Sequence, residues 1–182
     1  MSIRFPPIND KLFRPLTWEE CVKEASIYDQ TARRMFPGLP LRTLEILSKW
    51  AFDEAHEMYL AERELLKDRQ SIKHSAEFLK EWSDVLYLCA SVSALVDSHE
   101  GVQLCSQLLN LPTFRSGGTT GVILSGVSGH YAAAFRIVCL DNLFRLDTAT
   151  FRESDGKIIK SPEYPKHQVI ERIVDVFCFR RP

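Results

Sequence analysis

The sequence has no CxxC pair, no excess of charge of either sign, no internal repeat and no apolar run near the ~18 to 20 residues that a membrane span requires. Each lack removes a class of protein. The five cysteines (Cys21, Cys89, Cys105, Cys139, Cys178) are scattered, odd in number and mostly set in apolar runs. Neither a zinc knuckle nor a redox dithiol is expected, and the thiols read as reduced, partly buried side chains of a cytoplasmic protein. With 23 basic and 24 acidic residues the formal net charge is −1, which argues against a nucleic-acid-coating surface but not against one small anionic ligand. The first residues are polar and proline-bearing with no apolar h-region, so no signal peptide is expected, and no membrane partner.

What is present is ordinary globular material: 182 residues, 45% hydrophobic and 26% charged, enough for one domain with a real core. Pro6, Pro7 and Pro15 make residues 1–16 an irregular arm. Thr17 followed by Glu20 is a capping-box pattern, opening a helix that runs to about Phe36 and stops at Pro37-Gly38-Leu39-Pro40. Further helices are expected from about Leu41 to Lys67 and from about Ile72 to Val96, their short connection folding them into an antiparallel hairpin. Gly101 to Leu111 reads as a short helix, the glycine-rich stretch near 112–129 as a linker or lid, and Tyr131 to Leu146 as another helix. The glycines do not form a P-loop, because no Gly-Lys-Ser/Thr follows. Beyond the helical domain of residues 17–149, residues 150–182 form an extension. In it Thr150 to Arg152 and Lys157 to Ile159 flank a Ser154-Asp155-Gly156 turn as a β-hairpin, and His167 to Phe179 is a last short helix.

The chemistry lies on the two long helices. Leu44, Leu47, Ala51, Ala55 and Met58 recur at helical spacing as a core-facing stripe, and Glu54 falls inside it with Glu57 one turn on. On the next helix Phe78, Trp82, Val85, Cys89 and Val92 mark the core. Asp84 sits within a nearly unbroken apolar run there, with Glu81 three residues before it. Two carboxylates about 4 Å apart repel by roughly 4 kcal/mol at an effective dielectric near 20, and desolvation adds to that. Either the carboxylates take up protons or a cation sits among them. An all-oxygen donor set suits Mg²⁺, with Mn²⁺ as a substitute, rather than Zn²⁺. Glu62 and Glu64, by contrast, read as a solvated face.

Asp53-Glu54-Ala55-His56-Glu57, a gap of 23 residues (58–80), then Glu81-Trp82-Ser83-Asp84 resembles the signature of the MazG-type all-α nucleotide pyrophosphohydrolases, Glu-Glu-x-x-Glu followed by Glu-x-x-Asp. Asp141-Asn142-Leu143-Phe144-Arg145 looks like that family's later Asn-x-x-Lys element. The stretch from Asp155 to Tyr164 is similar to a tail of bacteriophage-encoded members. Asp53 replaces the first Glu, and Arg145 replaces the Lys, keeping its charge but not its geometry. The segment from about Asp97 to Gly129 has no counterpart in the family.

The resemblance implies a four-helix MazG-like bundle in which Glu54, Glu57, Glu81 and Asp84 ligate Mg²⁺. It implies hydrolysis of a (d)NTP, such as dGTP or dATP, to (d)NMP and pyrophosphate, with Glu54 or Glu57 taking the attacking water's proton. Asn142 and Arg145 then hold phosphate or sugar oxygens, and Lys80, Lys157 and Lys160 are candidate phosphate clamps. Tyr87 and Trp82 read first as core side chains, with a base platform as the alternative for each. A lone helical hairpin encloses such a site poorly, so a homodimer or homotetramer is expected. A carboxylate-bridged di-metal oxidase is a competing reading, but neither acidic pair offers the Glu-x-x-His it needs. An HD-type phosphohydrolase lacks its His-Asp dipeptide. A non-enzymatic helical interaction protein is the other alternative.

Overall fold

Thr17 begins the first helix as its spacing with Glu20 requires: the Glu20 amide donates to Thr17 Oγ1 (3.2 Å) and the Thr17 amide donates to Glu20 Oε2 (2.9 Å). The computed structural model describes residues 5–96, 98–109, 127–159, 161–162, 164–165 and 167–179. Among these, α1 spans Trp18–Met35, α2 Leu44–Lys67, α3 Ile72–Leu95, α4 Ser98–Leu109, α5 Gly129–Arg145 and α6 His167–Cys178. Two short strands, β1 (Thr150–Phe151) and β2 (Ile158–Ile159), pair antiparallel with Thr150 opposite Ile159. The class is all-α with a small C-terminal hairpin. No helix among the described residues is long and apolar enough to cross a membrane.

The expected boundaries shift slightly. Helix α2 starts at Leu44 rather than Leu41, because Thr43 caps it, its hydroxyl accepting from the Ile46 amide (3.3 Å). Helix α4 starts at Ser98, earlier than Gly101, and ends at Leu109. Most of the glycine-rich connection lies outside the described residues.

Helix α3 is the centre. It packs on α2 most extensively and also on α1, α4, α5 and α6, and every residue from Trp82 to Val92 is buried. An all-round apolar helix has no face to give to water, so its few polar groups must be satisfied from within. Ser83 donates to Leu79 O (2.7 Å) and Ser91 to Tyr87 O (2.9 Å). The N-terminal arm is drawn into the same core. Leu12, Phe13 and Leu16 are buried, Leu16 and Val127 exchange two backbone bonds of 2.8 Å, and Arg136 Nη1 donates to Leu12 O and Arg14 O (2.6 Å each).

Helices α3 and α4 meet backbone to backbone at Gly101. A Cβ there would lie 2.0 Å from Ser93 Oγ, 2.6 Å from Cys89 O and 2.7 Å from Ser93 N. Gly101→Ala therefore forces the two helices apart, and we expect it to destabilise the chain by about 1–3 kcal/mol or more, as overpacking does. Urea unfolding of the two proteins measures the difference; equal midpoints would contradict the close approach.

Candidate functional site

Short antiparallel hairpins put successive turns of their two helices side by side, and α2 and α3 do this with their acidic pairs. Glu54, Glu57 and Glu81 each offer a carboxylate oxygen within 4.8 Å of the others. Glu54 and Glu81 are half-buried and Glu57 is exposed, so the cluster opens to water on one side. The fourth carboxylate, Asp84, is buried and stands outside that trio. Lys80 ties it in: Nζ is 2.9 Å from Glu81 Oε2 and 2.9 Å from Asp84 Oδ2. Lys80 thus lies among the carboxylates rather than in solvent.

Burial, with Asp84, Glu57 and Glu81 nearby, pushes the Glu54 carboxyl up to about 7 against the opposing pull of Lys80. Burial also raises Glu81, Lys80 countering it. For Lys80 burial acts downward, but Asp84 and Glu81 outweigh it and hold the ammonium protonated well above the ordinary lysine range.

Glu54 and Asp84 also line a small cleft, open on one side, with Tyr28, Arg42, Trp50, Tyr87, Leu88, Asn142, Arg145, Lys157 and Ile158. Its direction follows from the helices. Trp50 is one turn before Glu54 on α2, and Tyr87 is about one turn after Asp84 on α3. Because the helices are antiparallel, both steps lead the same way, about 5 Å from the carboxylates toward an aromatic end.

Each wall is anchored. Arg145, in the last turn of α5, is paired with the buried Asp141, which in turn accepts from Tyr164 Oη (2.5 Å). Burial lowers the Arg145 pKa, but Asp141 and Asp84 outweigh it and raise it overall. The β-hairpin supplies Lys157 and Ile158. Its turn is held by Asp155, whose carboxylate accepts from Trp50 Nε1 (3.3 Å), Arg152 Nε (2.8 Å) and the Lys157 amide (3.0 Å). These bonds, the Arg152 pair first, hold the Asp155 carboxyl well below the usual range. Gly156 makes the turn possible with φ +71°.

Of the residues singled out from sequence, Tyr87, Asn142, Arg145 and Lys157 meet in this cleft with Glu54 and Asp84, and Lys80 joins the carboxylates. Lys160 lies outside the described residues. Trp82 is a core residue, as its place on the apolar stripe implies, and not a base platform: it is fully buried, its ring edge-on to Tyr131 with centroids 4.8 Å apart. Glu62 is corrected: it is buried, one turn beyond Met58 on the core stripe of α2, while Glu64 is exposed and paired with Lys67 (2.6 Å). The residues that sequence reading missed are Tyr28, Arg42, Trp50 and Asp155. Arg42 precedes the Thr43 cap and carries no motif, and Trp50 meets Asp155 across 105 residues of chain.

An oxygen-only cluster beside a cleft with cationic and aromatic walls can hold a hard divalent cation and an anionic, ring-bearing ligand together. Without the cation, Glu54 binds a proton in the folded chain between 4.5 and about 7 that the unfolded chain has released. Its contribution to stability therefore falls as pH rises through that window. We expect Glu54→Gln to raise the melting temperature of chelator-treated protein at pH 8 more than at pH 5. Calorimetry at the two pH values tests this, and an equal or opposite difference would refute the burial of charge argued for Glu54.

The chain matches no family model, no curated protein and no solved structure.

Proposed function

We propose that the chain is a Mg²⁺-dependent nucleoside triphosphate pyrophosphohydrolase, converting a (d)NTP to (d)NMP and pyrophosphate. The observation that carries the reading is the convergence of Glu54, Glu57 and Glu81 within 4.8 Å, with Glu54 also lining a cleft that holds Arg145 and Lys157. The donor set fits the ion: carboxylate oxygens alone, one of them exposed, leave room for water and phosphate oxygens in an octahedral shell. Glu54, Glu57, Glu81 and Asp84 would hold it. Bound there, Mg²⁺ neutralises phosphate charge and lowers the pKa of water at the site.

The rest of the work falls to the chain's own groups. Arg145, locked by Asp141, presents a fixed guanidinium to phosphate oxygens, and Lys157 adds a second positive charge from the hairpin. Asn142, beside them on α5, is suited to a sugar or phosphate oxygen. Glu54 or Glu57 accepts the proton of the water that attacks the α-phosphorus. Lys80 neutralises Glu81 and Asp84 in the metal-free chain, and were an ion held there its ammonium would be free to meet the pyrophosphate. The open carboxylate edge at Glu57 leaves the site incompletely covered, which supports a second copy of the chain as its neighbour.

The test is a panel of the canonical NTPs and dNTPs with Mg²⁺ or Mn²⁺, measuring monophosphate and pyrophosphate together. Equimolar release of both is expected, abolished by Glu54→Gln or Asp84→Asn with helicity unchanged. Orthophosphate release, or retained activity in either variant, would sink the assignment. Mg²⁺ is also expected to raise the melting temperature by mass action, an effect lost in Glu54→Gln. A protein of helical interaction only would show no such rise. Light scattering is expected to give a dimer or tetramer, and a monomer would remove the second copy from the proposal.

A further inference from the structure

The aromatic end of the cleft holds an arginine that the proposed chemistry does not use. Arg42 has a side chain only 3% exposed, and its Nη1 is 3.3 Å from Asp29 Oδ1. Asp29 is shared, since Arg33 Nε donates to its other oxygen at 2.7 Å. One buried carboxylate therefore faces two guanidinium groups and leaves a net positive charge beside the cleft. Arg42 Nε is buried with no hydrogen-bond partner among the described residues. A desolvated charge with unfilled donors is costly unless something accepts from it.

The surroundings say what that acceptor is. The Arg42 guanidinium lies 5.4 Å from the Tyr28 ring centroid and 5.5 Å from that of Trp50, and Tyr28 stands edge-on to Tyr87 at 5.7 Å. The end of the cleft one turn away from the carboxylates is thus walled by flat rings, with a fixed donor fork between them. A phosphate does not need rings, whereas a planar heterocycle does. Arginine donates and never accepts, so it matches a ring carbonyl, alone or with an adjacent ring nitrogen as on the guanine edge. It meets an exocyclic amine at the same position donor to donor.

We propose that Arg42, with Tyr28, Trp50 and Tyr87, forms a nucleobase subsite selecting bases that carry a ring carbonyl where adenine and cytosine carry an amine. This rests on the nucleotide reading of the site and adds the base class to it. Guanine, hypoxanthine, uracil and thymine are accepted, and adenine and cytosine are disfavoured.

Two substrate pairs isolate that one group: inosine against adenosine triphosphate, and uridine against cytidine triphosphate. With wild-type protein and Mg²⁺, kcat/KM is expected to favour the carbonyl member of each pair by ~10- to 100-fold, the scale of a good bidentate contact. Arg42→Met is expected to abolish the preference within each pair, kcat/KM falling by that factor more for the carbonyl member than for the amino member, with Arg42→Lys between the two. Circular dichroism of each variant checks its fold, and the wild-type comparison needs no variant at all. Equal hydrolysis within both pairs overturns the subsite and leaves the pyrophosphohydrolase standing. If no triphosphate is hydrolysed, that activity fails by itself, and calorimetric titration with inosine and adenosine monophosphates decides the subsite. Binding of the inosine compound alone supports it; equal binding, or none, overturns it.

Discussion

Everything in this molecule is arranged around a helix that has no solvent face in its middle and still carries charge. Helix α3 is covered by five other helices, and within one turn of it lie Lys80, Glu81 and Asp84. Serines on such a helix can return their hydroxyl bonds to its own carbonyls, as Ser83 and Ser91 do. A carboxylate has no proton to return. Asp84 is kept in the core by the lysine one turn before it, and Glu81 shares that lysine. The ion pairs here do not add stability for its own sake. They make a charged stretch tolerable where apolar packing would otherwise demand Leu or Ala.

That compensation is incomplete, which gives the site its chemical character. Glu54, Glu57, Glu81 and Asp84 bring four negative charges and Lys80 one positive. Glu54, its carboxyl pushed up to about 7 by burial and by its acidic neighbours, meets the deficit by holding a proton near neutral pH. A divalent cation would meet it better, bringing two charges to oxygens that already converge. In the function proposed above, lysine and ion are alternates: Lys80 compensates the carboxylates without metal, and the ion would take that place.

Much of this was legible in the residues. Periodicity placed the long helices to within a few positions, the Thr17–Glu20 box marked where the first begins, and Ser154-Asp155-Gly156 marked the hairpin turn. The acidic pairs stood out because they broke apolar stripes. What could not be read depends on distant parts of the chain meeting. Glu62 is buried because the core stripe of α2 runs on through its position, one turn beyond Met58. Gly101 looks like any glycine until α3 is laid against α4. Arg42 sits in a proline-marked turn with nothing local to distinguish it, and only the packing of Tyr28, Trp50 and Asp29 around it makes it part of a site.

The C-terminal hairpin, which from sequence reads as an appendage, is instead what gives the cleft two chemically different ends. Trp50 belongs to α2 and is fixed by the core, and Asp155 binds its indole nitrogen while also holding Arg152 and the Lys157 amide. One side chain thus docks the hairpin on α2 and fixes the turn that presents Lys157. Remove that docking and the carboxylates remain where α2 and α3 put them, with Arg42 and Arg145 still in the cleft, but Lys157 and Ile158 are lost from its wall. The carboxylate cluster is built by the helical hairpin alone. Lys157 reaches the cleft beside it only through the β-turn, and so the two parts of the proposed site are joined through a single aspartate.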